Sequence, residues 1–272
     1  MIIAFWLWGL KLGIDFAGGT LWEIKGNINA QAVKSLLAQK DAEIASVAQT
    51  SQNSVIIRMR ETDEQKILDL KNALSDSFGP IEDVSRQTVG PIVSKELTYK
   101  AMQAVAISVL AIVAYITWAF RKIPKPTSSV AFGVTTIIAL VHDIIIVVGI
   151  FAILGHFAQI EVDSLFITAL LTVLGFSVHD TIVVFDRIRE NLTKHQADSF
   201  EQIVNHSILQ TLARSLNTSL TVIFVLFALL LFGGQSIKTF VLVLLIGIIS
   251  GTYSSIFNAA PLLVVWNKFK NR

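Results

Sequence analysis

The sequence predicts a polytopic α-helical membrane protein that carries a small α+β domain outside the bilayer. Three observations lead there. Of 272 residues, 53% are hydrophobic and only 15% charged, where an average soluble domain has about 25% charged residues; the mean hydropathy is +0.64. Charge is also unevenly placed, with 11 Lys/Arg and 12 Asp/Glu in residues 1–100 but 11 and 8 in the longer stretch 101–272. That second stretch divides into five long apolar runs.

A bilayer core takes about 20 mostly apolar helical residues. Residues 101–120 and 215–237 carry no charge, and neither do residues 239–267. Residues 126–160 contain Asp143 as their only charged side chain, and residues 164–185 contain only Asp180. These are five spans. The connecting segments give the orientation through the excess of Lys and Arg on the cytoplasmic side. Arg121, Lys122, Lys125, Arg187, Arg189, Lys194, Arg214, Lys268, Lys270 and Arg272 fall at one end, against Lys238 alone at the other, beside Glu161 and Asp163. The C-terminus is therefore expected in the cytoplasm and the domain before residue 100 outside. Residues 1–10 are apolar and aromatic but half the length of a span. They lack both the basic start and the small-residue cleavage site of a secretory signal. They are expected to be the outer part of a first span that begins upstream of Met1. The predicted organisation is a partial first helix over 1–12, an outer α+β domain over 13–98 and a five-helix membrane domain over 99–272.

The outer domain alternates short elements. Residues 20–25 alternate as a strand, and Asn29 is placed to cap a helix over Ala30–Gln39 with Val33, Leu36 and Leu37 on one face. Two strands, 43–49 and 54–59, flank turn residues 50–53. Thr62 and Gln65 have capping-box spacing ahead of a helix with Ile67, Leu68, Leu70 and Leu74 inward, ending near Gly79-Pro80. Residues 81–89 supply a fourth strand. The order β-α-β-β-α-β is that of a ferredoxin-like sandwich. With no His and no Cys in this domain, and acids scattered on outer helix faces, it reads as a folded module and not as an enzyme. The absence of cysteine throughout excludes disulfides and thiolate metal sites, no metal or organic cofactor is expected, and a net charge of +2 is too small for nucleic-acid binding.

The candidate chemistry lies inside the membrane. A carboxylate at mid-bilayer costs about 2.5–3.5 kcal/mol on insertion scales. Asp143 and Asp180 stand in matching Val-His-Asp strings, 141–143 and 178–180, each followed by a β-branched run. Two such acids on consecutive helices suggest a shared polar path. For Asp143, a proton relay and a simple bond between helices, worth about 0.6 kcal/mol on average, stand level. For Asp180 the relay is favoured, with Arg214 at the mouth of the next span as counter-charge or, alternatively, a positive-inside anchor. His142 and His179 can shuttle protons or be packing residues. Gly247-x-x-x-Gly251, with Ser254 and Ser255 following, is expected to let a neighbouring helix approach closely, and Pro261 to kink the same helix. Residues 199–212 are amphipathic through Phe200, Ile203, Val204, Ile208 and Leu212, and are expected to lie along the membrane interface.

Several strings resemble the SecF family, bacterial protein-export membrane subunits that work with SecD. They are Gly-Ile-Asp-Phe-Ala-Gly-Gly-Thr at 13–20, containing Asp15, Gly18, Gly19 and Thr20; the string 177–191, ending in Asp186, Arg187, Ile188, Arg189, Glu190 and Asn191; residues 210–219; and Leu-Phe-Gly-Gly at 231–234. The resemblance runs through essentially the whole chain. It implies one half of an RND-superfamily assembly, with one span, an outer domain and then five spans, paired with SecD in the bacterial inner membrane. It implies that proton flow drives a late stage of preprotein export through the Sec channel, with unfolded preprotein met on the outer, periplasmic side. By the same resemblance Asp180 and Arg214 belong to the proton pathway, and Asp143 matches an acid one helix earlier. His179 departs from the family's usual Asn. Two alternatives are half of a proton-coupled small-molecule exporter, whose outer domains are larger, and a non-conducting assembly scaffold. An intramembrane aspartyl protease would want a Gly-x-Gly-Asp string, which neither aspartate has.

Overall fold

The computed structural model describes residues 1–40, 43–50, 53–60, 63–194 and 197–270. Its chain divides into two compact units, residues 12–100 and residues 1–11 with 101–272.

The seven-residue helix α1 (Ile2–Trp8) belongs to the larger unit, and α2 (Ile14–Ala17) opens the smaller one. Gly18 and Gly19 then turn the chain into strand β1 (Gly19–Lys25) with φ of 74° and 122°. Glycine is required at the second position for space as well. A Cβ on Gly19 would stand 2.7 Å from the Met59 carbonyl oxygen. Helix α3 (Ala30–Gln39) is capped by the Asn29 side chain, which accepts from the Gln31 amide at 2.8 Å. Strands β2 (Ile44–Thr50) and β3 (Ser54–Met59), helix α4 (Glu64–Phe78) and strand β4 (Glu82–Val89) complete the unit. The antiparallel sheet has the order β2-β3-β1-β4, the ferredoxin-like topology that the element order predicts. Alternation along β1 and β3 puts Trp22, Ile24, Val55, Ile57 and Met59 on the face covered by Val33 and Leu37 of α3 and Ile67, Leu70 and Leu74 of α4. Leu68, expected inward, is exposed; it is one residue, about 100° of helix, away from the buried Ile67. The expected Thr62 cap lies outside the described residues, and Asp63 occupies the N-cap.

Trp22 is fully buried, so its indole N–H needs a partner. It donates to Asp83 Oδ1 at 2.8 Å, and Lys71 pairs with the other carboxylate oxygen. Partial burial alone would push the Asp83 carboxyl up. The Lys71 and Trp22 hydrogen bonds and the charges of Lys71 and Arg86 outweigh that and hold it below the usual carboxylate range.

The larger unit holds the membrane helices α5 (Pro91–Ala119), which begins in the smaller unit, α6 (Ser129–Phe157), α7 (Ser164–Lys194), α8 (Phe200–Phe232) and α9 (Gln235–Ser254). A π-helical turn (Ser255–Ala259) joins α9 to α10 (Ala260–Lys270). Among the described residues, five helical segments are long and apolar enough to cross a membrane, the run from α9 through α10 counting as one. The π turn precedes Pro261, whose ring removes a backbone donor, so the interruption falls where a kink is expected. Helix α8 corrects one expectation. Residues 199–212 form no separate interfacial helix; they are the first turns of α8. No Gly or Pro interrupts the chain from Phe200 to Phe232, and Phe200, Ile203 and Val204 are buried in the same cluster as Ile188 and Leu192 of α7 and Leu263 of α10. Ser199 and Gln202 close a capping box at its start.

The seam between α7 and α9 depends on small residues. A Cβ on Gly247 would lie 2.3 Å from a Val173 methyl, and one on Gly251 would lie 2.9 Å from Ser177 Cβ. Helix α1 packs on α6 over Gly149, where a Cβ would meet Met1 at 2.5 Å; Trp8 stacks on His156 with centroids 4.9 Å apart.

Two predictions follow from this packing. Gly251→Val is expected to lower stability by about 1–3 kcal/mol through overpacking, read as an earlier thermal unfolding transition in detergent. Gly175→Ala, which meets nothing within 4 Å, should be neutral or slightly stabilising. Because the Asp83 carboxyl is held low in the folded state, its contribution is complete above the ordinary carboxylate range and is lost as pH falls through the lowered value. In a chain retaining Trp22 as its only tryptophan, the emission change on acidification should therefore shift to higher pH in Asp83→Asn.

Candidate functional site

Both membrane aspartates are buried, and they differ in how they are satisfied. Asp143, near the middle of α6, is 0% exposed. Its Oδ2 accepts from Ser177 Oγ of α7 at 2.6 Å and from Ser254 Oγ of α9 at 2.7 Å. Its Oδ1 accepts from Ser250 Oγ of α9 at 3.1 Å and lies 3.2 Å from Nδ1 of the neighbouring His142. Four polar groups from three helices thus meet one carboxyl, which uses all of the roughly four acceptor positions that a carboxylate offers. Ser250 and Ser254 reach it together because residues four apart share a helix face. Gly251 packs against Ser177 and so brings α9, which carries Ser250 and Ser254, close to α7.

Asp180, on α7, is 2% exposed but weakly held. Among the described residues it accepts one hydrogen bond, from Ser219 Oγ of α8 at 3.5 Å, and that hydroxyl is more tightly engaged with Thr252 Oγ1 of α9 at 2.6 Å, a side chain that also bears on the carboxylate. The Ser215 side chain bears on the same carboxylate, yet its Oγ is buried without a hydrogen-bond partner.

Arg214 does not provide the expected counter-charge in this conformation. It is on the exposed side of α8, and among the described residues no ion pair joins it to Asp180. The neighbour in sequence, Ser215, takes the inward position, and successive helical residues diverge by about 100°. His179 is exposed for the same reason, one residue from buried Asp180. His142 does approach its aspartate, half-buried.

The string 186–191 works as a clasp between α7 and the start of α8. Asn191, buried, donates from Nδ2 to Ser207 Oγ at 2.9 Å and to Gln210 Oε1 at 3.0 Å. Arg187 donates to the same Gln210 oxygen and pairs with Glu190, which also binds Lys194. Arg189 pairs with Asp186 at 2.8 Å. In the smaller unit, Gly18 and Gly19 shape the entry to β1, Thr20 Oγ1 meets Thr88 Oγ1 at 3.1 Å, and Asp15 lies in the only turn of α2.

The hydroxyls around the two acids are the functional residues that the sequence reading missed. A signal for them exists. Ser207, Thr211, Ser215 and Ser219 recur every four residues along α8, and all four are buried; Ser250 and Ser254 repeat the spacing on α9.

Comparison with known proteins adds the family. Residues 69–269 match the family described as protein export membrane protein SecD/SecF, C-terminal. The chain belongs to the SecD/SecF family. One relative, the protein translocase subunit SecF of Thermobaculum terrenum, is 51% identical over 96% of this chain and 86% of its own length. The protein translocase subunit SecDF of Bacillus subtilis is 36% identical over 97% of this chain and 35% of its own length. The crystal structure of SecDF from Thermus thermophilus superimposes with a TM-score of 0.86 at 33% identity, over 100% of this chain and 36% of that one. The SecD/SecF chain described here thus spans about a third of each SecDF polypeptide and most of its SecF relative, and it is a multi-pass membrane protein.

The difference between the acids is measurable. Asp143→Ala leaves the Ser177 and Ser250 hydroxyls without their acceptor and Ser254 with only the Gly251 carbonyl at 3.3 Å, at about 1–3 kcal/mol for each buried group left unsatisfied. Asp180→Ala removes one long bond. Thermal unfolding in detergent should show the larger loss of stability for Asp143→Ala.

Proposed function

We propose that this chain acts with SecD as a translocase subunit of the bacterial plasma membrane, using proton flow to promote a late stage of preprotein passage through the Sec channel. Family membership supports the translocase role. The observation that carries the proton step is the contrast between Asp143, saturated with donors, and Asp180, buried with acceptor capacity to spare. A residue that gains and loses a proton needs room in its hydrogen-bond shell for both forms. A residue that holds three helices together does not. On this reading Asp180 is the carrier and Asp143 the fixed point around which it works.

Ionisable side chains on the hydrocarbon-facing surface of a span are costly, and such groups normally face protein or water. His179, at the depth of Asp180, and Arg214 are both exposed on this chain. Their cover is the SecD half, so the proton path is shared between the halves and Arg214 acts across that junction. The Lys/Arg distribution puts the C-terminus in the cytoplasm and residues 13–98 in the periplasm, where the emerging preprotein is met.

The driving force is adequate. One charge moved through 100 mV supplies about 2.3 kcal/mol, which shifts a two-state equilibrium by roughly fifty-fold. A proton arriving from outside neutralises Asp180, α8 repacks against α7 and α9, and α5, continuous from β4 into the membrane, passes the change to the outer unit. The small-molecule exporter is disfavoured: the outer unit is a single four-stranded sandwich.

In membranes containing SecD and the Sec channel, Asp180→Asn is expected to abolish the stimulation of preprotein export by a proton gradient, while the protein remains inserted at its normal level. Full gradient-dependent export by that variant would refute the assignment. Arg214→Gln should behave similarly, and Arg214→Lys should keep part of the stimulation.

A further inference from the structure

A second surface of the membrane unit has a chemistry that proton transfer does not use. The connection between α5 and α6 contains Arg121, Lys122 and Lys125, three cations within five residues. Its position is fixed from within. Ile123 packs against the core cluster that includes Phe120, Ile188 and Leu192, while Arg121, Lys122 and Lys125 are exposed. Pro124 and Pro126 hold φ near −65° on either side of Lys125, which limits how far the loop can rearrange.

Among the described residues, Lys122 and Lys125 make no ion pair. Arg121 lies over the Trp118 ring, its guanidinium carbon 4.5 Å from the centroid, and donates from Nη1 to the Trp118 carbonyl at 3.1 Å. On α7, Asp186 is paired with Arg189, which itself reaches over the Phe120 ring at 5.9 Å. Trp118 and Tyr115 are both exposed on the last turns of α5, where aromatic side chains mark the membrane–water boundary. Uncompensated cations one turn beyond an interfacial tryptophan stand at headgroup level.

We propose that this loop is a binding site for the headgroup of an anionic phospholipid. The phosphate is held by Lys122 and Lys125, Arg121 is kept planar on Trp118 for a forked contact to phosphate oxygens, and the acyl chains lie along Trp118 and Tyr115. Each basic residue near an anionic membrane surface contributes enough to change affinity about fivefold. Loss of both unpaired lysines therefore predicts roughly thirtyfold weaker retention of the lipid.

Native mass spectrometry of the full chain, released from detergent with phosphatidylglycerol or phosphatidylcholine added, tests the assignment. The wild-type chain is expected to retain phosphatidylglycerol preferentially, and K122Q/K125Q to lose that preference. K268Q/K270Q, with the same change in charge elsewhere, is expected to keep it. Equal retention of the two lipids by the wild-type chain would overturn the proposal. So would an equal loss in K268Q/K270Q, which would make the effect one of net charge. Disappearance of the preference when SecD is co-purified would also overturn it, by making the patch a protein contact.

Discussion

In hydrocarbon a polar side chain cannot fall back on water, and much of this membrane unit is arranged around that restriction at Asp143. The carboxyl takes hydrogen bonds from α7 and α9 as well as from its own neighbour, so the three helices cannot separate without leaving several buried groups unsatisfied. The glycines on α9 serve the same contact. With a Cβ at Gly251, Ser177 could not sit where it does, and the bond from Ser177 to Asp143 would lengthen. Close packing and polar satisfaction are here one constraint seen from two sides, since each fails if the other does.

Asp180 lies three residues, less than one turn, beyond Ser177 on α7 and beside the same α9. Because Asp143 and the glycine seam hold α7 to α9, a change at Asp180 is directed toward the third neighbour, α8. That helix meets the acid through serines, with a 3.5 Å bond and an unpartnered hydroxyl. A loosely held face against a firmly held one is how a small local event acquires a direction. The clasp of Asn191 and Arg187 on Gln210 holds α8 at its first turns, so a displacement near Ser219 would grow with distance from that pivot.

Much of this was legible in the sequence, and the parts that were not have a physical explanation. Spans, the ferredoxin-like order and the two acids could be read because each rests on a local pattern: uncharged length, alternation, or a charge where none belongs. Leu68 was misplaced because a run of Ile67, Leu68 and Leu70 offers two faces, and only the packed sheet chooses between them. Residues 199–212 read as an interfacial helix because their amphipathic face is real; that it covers α7 and α10, and not lipid, depends on tertiary packing. Arg214 beside Asp180 was inferred from its place at the mouth of the next span and its charge, and helical phase turned it away.

The hydroxyl groups were the least legible. Serine is common at small-residue helix contacts, so a serine on a span carries no mark that distinguishes packing from chemistry. The distinction comes from which carboxyl each serine faces and whether that carboxyl is already full. Ser254 and Ser215 look alike in the sequence, each a small polar residue on an apolar helix. Ser254 closes a completed shell around Asp143, so its loss is a loss of structure. Ser215 stands beside an incomplete shell, and its own hydroxyl is without a hydrogen-bond partner among the described residues, so its loss removes a potential donor to Asp180. On the proposed function the same residue type serves stability in one position and change in the other, and the difference is set by the occupancy of its neighbour.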